Sequence, residues 1–203
     1  MPEADSIFDV EYIARLLSDR WLIQGRPLRA LEIGDYVGIE VTDEAGEPDI
    51  VILEALVVVP KGQPLAGTLI AISERGLDPQ GNIIAFLVGG PSPGPFAVRR
   101  TNNFDVSDAV LLANGDLLIL ERKFSWLAGI GIRIRRIPLK SIAPGAVVDG
   151  PSIFDADLGQ EIDNMEGIDA HVTDEGDTVL TMVSDDNFAL LQRTLLLQFT
   201  LVG

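Results

Sequence analysis

Acidic side chains close and open short apolar runs along this chain, and their types limit the chemistry available. Glu54, Asp108 and Glu166 open three similar phrases, LEALVVVP, SDAVLLANGDLLILERK and MEGIDAHVTDEGDTVLTMVSDD, while Glu74, Glu121 and Asp185 close the second run of each. Carboxylates brought together repel, and are tolerated through a shared proton, an arginine partner or a bound cation. Cysteine is absent and His171 is the only histidine, so a cation would be held by oxygen alone, and calcium is the metal that suits such a set. The candidate ligands are Glu74, Glu121, Glu166, Asp185 and Asp186, with Asp163-Asn164 beside Glu166 and Asp185-Asp186-Asn187 as the most oxygen-rich local clusters. The competing use is structural: the same acids can bind arginines or backbone N–H groups and pin strands together.

Arginine supplies 12 of the 15 basic residues. Arg75 and Arg122 directly follow repeated acids, and a guanidinium fork holds a phosphate or carboxylate through two parallel hydrogen bonds. They are the candidate anion-binding residues, with a salt bridge between repeats as the alternative. Arg133 and Arg135 share one face of the strand-like run IRIRR, and read as a solvated, charge-protected edge. His171 lies inside the run IDAHVT, as an edge or partly buried histidine. Neither a G-x-S-x-G elbow nor a P-loop is present, which disfavours an ordinary α/β-hydrolase or a nucleotide cradle.

The elements that must position these residues repeat. Each copy is a β-like run, a turn and a second run, with Asn114-Gly115 and Glu175-Gly176 as turn signals. A partial fourth copy ends on Ser18-Asp19-Arg20, and the acidic anchors are 55, 47 and 64 residues apart, from Asp19 through Glu74 and Glu121 to Asp185. Such spacing suits four-stranded propeller blades, which run to roughly 40–50 residues, or more with loop insertions. NIIAFLVGG, FAVRRT, GIRIRRIPL and RTLLLQFTLVG supply outer strands, rich in Val, Ile, Leu and Phe between Gly, Pro and Asn. The expected fold is all-β, a propeller-like domain over 1–203 of three to four four-stranded blades: a divergent partial blade at 1–49, then blades at 50–104, 105–163 and 164–203. Residues 7–18 have helical spacing as an alternative, giving one short N-terminal helix.

Composition sets the outer bounds. The 203 residues are 47% hydrophobic and 23% charged, as in soluble globular chains, with a net charge of −16. That charge argues against a nucleic-acid or anionic-membrane surface. Twelve acids and no Lys or Arg fall between Lys140 and Arg193, so the excess is concentrated late in the chain. No run is long enough for a membrane span, and MPEADSIFDVEYIARLL has acids where a secretion signal needs basic residues, so no export signal is expected in the sequence as written.

The phrases ISERGLDPQGNIIAFLVGG, SDAVLLANGDLLILERKFS, GIRIRRIP, IDNMEGIDAH and SDDNFALLQRTLLLQF resemble the phytase-like family, also called "esterase-like activity of phytase". The likeness spans roughly residues 50–203, and IDNMEGI with SDDNF is its most specific part. The resemblance implies a β-propeller, in most members an exported bacterial protein, periplasmic or secreted, and a hydrolase acting on phosphate or other esters. It also implies a departure, since family members are longer, with about six blades. The expectation is therefore a hydrolase of a small-molecule ester or phosphoester, using Glu166 and Asp185 in catalysis, Arg75 and Arg122 for the anion, and calcium held by the acids above. The rival is a non-catalytic acidic propeller that binds a ligand or assembles. An open fan of blades leaves edges unpaired, so self-association is expected if the ring does not close.

Overall fold

A computed structural model describes residues 22–23, 26–27, 29–33, 36–42, 48–125, 129–157, 159–160, 162–186 and 192–202, with those before Ile50 as backbone only. The helical alternative over 7–18, the partial repeat ending on Ser18-Asp19-Arg20, and Asn187 lie outside the described residues. The protein is all-β. Among the described residues there is no α-helix, only a 3₁₀ turn at Leu139–Ser141, and none that is long and apolar enough to cross a membrane.

The chain divides into two compact units, residues 1–99 with 143–147, and residues 100–142 with 148–203. In the first, β1 (Leu22–Ile23) and β2 (Arg26–Pro27) form a minimal hairpin. An antiparallel meander follows: β3 (Arg29–Ile33), β4 (Tyr36–Thr42), β5 (Pro48–Val58), β6 (Thr68–Leu77), β7 (Ile83–Gly89) and β8 (Gly94–Val98). On β5 the buried residues alternate, Leu53, Ala55 and Val57, as expected where one face meets the core. β6 and β7 are instead buried continuously from Thr68 to Ser73 and from Ile83 to Val88, which is why they read as unbroken apolar runs. Residues 143–147 return beside β8, where the Ala97 N–H donates to the Ala146 carbonyl at 2.9 Å.

The second unit holds two antiparallel sheets. One has four strands in chain order, β9 (Asp105–Leu111), β10 (Asp116–Ser125), β11 (Gly129–Pro138) and, after the short β12 (Val147–Val148), β13 (Ser152–Asp157). The other has three, β14 (Met165–Val172), β15 (Thr178–Ser184) and β16 (Leu196–Leu201). The predicted hairpin turns fall where Gly115 and Gly176 adopt φ of 87° and 91°, values a side chain resists. β14 lies against β9, and Leu118, Leu120, Ile132 and Ile134 of one sheet pack on Met165, Ile168, Leu180 and Met182 of the other. Each sheet is open at both ends of its strand order, and no closed barrel or propeller ring forms among the described residues.

Three hairpins share a feature of register, offset by one residue from the acids that align in the sequence: the corresponding second-strand positions are Ser73, Glu121 and Ser184, not Glu74, Glu121 and Asp185. Leu53 pairs with Ser73 and Ala55 with Ile72; Val106 pairs with Glu121 and Asp108 with Leu120; Met165 pairs with Ser184 and Gly167 with Val183. Each first strand thus carries a β-bulge, its extra residue being Glu54, Ser107 or Glu166. Glu54 and Asp108 sit in mid-strand, whereas Glu166 lies one residue inside its strand.

Candidate functional site

Glu121 and Arg122 are neighbours on β10, so their side chains leave opposite faces, and the two faces meet different chemistry. Glu121 is wholly buried. Its Oε2 accepts from Arg133 Nε at 2.6 Å and Arg135 Nε at 2.7 Å, and its Oε1 accepts from their terminal nitrogens at 3.0 and 2.7 Å. One carboxylate therefore receives two guanidinium forks. Arg135 also donates to Asp149 at 2.8 Å, and Arg133 to the Thr101 hydroxyl at 2.8 Å while lying 4.3 Å from the Phe104 ring centre. Burial works against the Arg135 charge, yet Glu121 and Asp149 outweigh it and hold its pKa above the ordinary arginine value.

This corrects the reading of Arg133 and Arg135 as a solvated edge. β13 covers β11 on the side away from β10, and the two guanidiniums are buried. An alternating run cannot reveal whether its strand is central or terminal. The strand that decides it, SIFDAD, reads in the sequence only as part of an acidic stretch.

On the opposite face, Arg122 reaches from β10 to β14. Its Nη1 donates to Asn164 Oδ1 at 2.9 Å and to Glu166 Oε1, and the Asn164 amide donates to the same Glu166 oxygen. Both charged side chains keep contact with solvent, Arg122 at 21% and Glu166 at 30% exposure. The segment that presents Glu166 is fixed from behind. Buried Asp163 accepts the Asn164 N–H at 2.8 Å and the Arg193 N–H at 2.9 Å. The Asp185 N–H donates to the Asn164 carbonyl at 3.2 Å, and the Ser184 hydroxyl bridges the Arg193 carbonyl and the Leu195 N–H at 2.7 and 2.8 Å. The structure thereby gathers Arg122, Asn164, Glu166 and the backbone of Asp185; the Asp185 side chain is exposed and Asp186 half-buried.

Glu74 and Arg75 belong to the first unit, where they pair with each other at 2.7 Å on β6, Arg75 being largely exposed. Glu121, expected among the cation ligands, has both oxygens occupied by arginines. Among the described residues no group of three or more His, Asp or Glu side chains is gathered closely enough to hold a metal ion. His171 is exposed on β14. Asn164 and Asp163 were legible as an oxygen-rich cluster, but their roles as positioner and anchor of Glu166 became visible only once β10 was placed beside β14.

Asp108 does a different job. Its two oxygens accept the Ala109 N–H and, across to β14, the Ile168 N–H, each at 2.8 Å. Burial raises its pKa despite these two bonds, which pull the other way. A carboxyl whose folded pKa lies above its unfolded value holds its proton more tightly when folded, so its contribution to stability declines as pH rises through the interval between the two. Comparing urea midpoints of the parent and Asp108→Asn from the ordinary aspartate range upward should therefore show a downward slope in the parent that the variant lacks. Parallel profiles would refute this.

The family described as "Phytase-like: Esterase-like activity of phytase" matches residues 20–188. Neither a curated protein nor a solved structure matches the chain.

Proposed function

The chain belongs to the phytase-like family, and from that premise we propose that it is a hydrolase of phosphate or other esters whose working groups are Arg122 and Glu166. The observation that carries the reading is their ion pair, held by Asn164 and still open to solvent. An anionic ester oxygen competes with Glu166 for the Arg122 fork, since guanidinium binds phosphate and carboxylate alike. Displaced from Arg122, the Glu166 carboxylate becomes available to take a proton from the attacking water and pass it to the leaving oxygen. Arg122 then stabilises the charge that builds on the ester oxygens. Asp185, tied through its backbone to Asn164, is the second carboxylate at this end of the sheet.

The family membership also supports reading the sheets as propeller blades. The four-stranded meander from β9 to β13 is the shape of one blade, and β14 beside β9 matches neighbouring innermost strands. The described carboxylates do not form a ready cation cage. Calcium enters the assay as the ion that oxygen donors would take.

The test is turnover of inositol phosphates and simple aryl esters by purified protein, with and without calcium. Release of phosphate or phenol by the parent protein is expected. No turnover of either substrate in either condition would overturn the enzyme reading and favour a non-catalytic module, in which the Arg122–Glu166 pair only pins β10 to β14.

A further inference from the structure

We propose that the second unit has a separate binding site for an apolar carboxylate, a medium-chain fatty acid in chemical class, with its head on Arg136. Between the outer strands of the two sheets lies a cleft of about 460 Å³, walled by Ile153, Phe154, Leu180, Phe199 and Leu201. That volume falls within the roughly 300–1,000 Å³ of small-molecule sites. It has room for about 15 water-sized groups at roughly 30 Å³ each. The Phe154 and Phe199 rings meet at 5.1 Å between centroids, joining β13 to β16 along the cleft.

Among the described residues Arg136 is the only charged one in the lining. In a chain with 31 acids, a cleft whose described lining holds none is a local exception to the surrounding field. The Arg136 guanidinium makes no hydrogen bond among the described residues: its Nε is buried, and its ion pair with Asp116 Oδ2, at 3.7 Å, is too long to be one. A half-buried cation against apolar walls is costly until an acceptor reaches it. A carboxylate satisfies that fork through two parallel bonds while its alkyl chain covers the apolar walls. A neutral lipid would fill the walls and leave the guanidinium without a close hydrogen-bond acceptor, and inorganic phosphate would do the reverse. None of these residues belongs to the Arg122–Glu166 pair, so the proposal stands or falls independently of the hydrolase reading.

Calorimetric titration of the full chain with decanoate should give saturable binding of one equivalent. Decanol and inorganic phosphate should each bind at least tenfold more weakly. Arg136→Gln should weaken decanoate at least tenfold, with the circular dichroism spectrum unchanged. Ile153→Trp, which fills the cleft from the other side, should abolish binding and serves in its own right if Arg136→Gln does not fold. Absence of saturable binding, equal affinity for decanol, or a folded Arg136→Gln that binds as the parent does would overturn the site.

Discussion

Glu121→Gln is expected to destabilise the second unit by about 3–5 kcal/mol, the usual cost of removing one partner from a buried charged group. The reason is arithmetic of charge in a dry interior. In the parent, two buried guanidiniums share one fully buried carboxylate, and only half-exposed Asp149 adds a second negative charge. The glutamine keeps the shape but has a single acceptor oxygen, and its amide N–H₂ would face the N–H groups of Arg133 and Arg135. For a transition whose slope is about 2 kcal/mol per molar urea, the midpoint should fall by roughly 2 M. Replacing all three together, Glu121→Leu with Arg133→Met and Arg135→Met, should recover much of the loss, because apolar substitution of a whole buried ionic group is often neutral. A loss under about 1 kcal/mol in the single variant would mean that water reaches the cluster.

Glu166→Gln should reduce turnover by about 10²–10⁴-fold, the range a positioned proton-transfer group contributes. Its cost in stability should be small. The pair with Arg122 is partly solvated, and such pairs are worth up to about 1 kcal/mol, or a few degrees in Tm for a unit of this size. Arg122→Lys should instead raise KM, since an ammonium keeps the charge and loses the fork. The two variants separate chemistry from scaffolding. If the pair only held β10 to β14, both would lower Tm and leave the rate per folded molecule unchanged.

Much of the fold was legible because its strands announce themselves. The apolar runs at 68–73 and 83–88 and the turns at Gly115 and Gly176 are local signals, and the structure puts strands and turns there. β13 was not legible, because Asp155 and Asp157 fill outward positions and leave only Ile153, Phe154 and Ala156 as apolar content. Missing it hid the burial of Arg133 and Arg135. At the candidate site, Glu166 and Arg122 could be named from the repeat, but 44 residues separate them, and only the packing of β10 on β14 brings them into contact. The alternative left open at the outset, that repeated acids bind arginines or backbone N–H groups, describes Glu121 and Asp108 as the structure places them.

The bulge in each first strand has a consequence for how such a hairpin can vary. Inserting one residue into a plain strand inverts every side chain beyond it, exchanging inside for outside. A bulge absorbs the insertion where it occurs, so that in β14 the buried positions step from Met165 to Ile168 and the strand beyond keeps its facing. The inserted position behaves like a socket in a fixed frame. It holds a glutamate at 54 and 166 and a serine at 107, and the exchange leaves the frame around it intact.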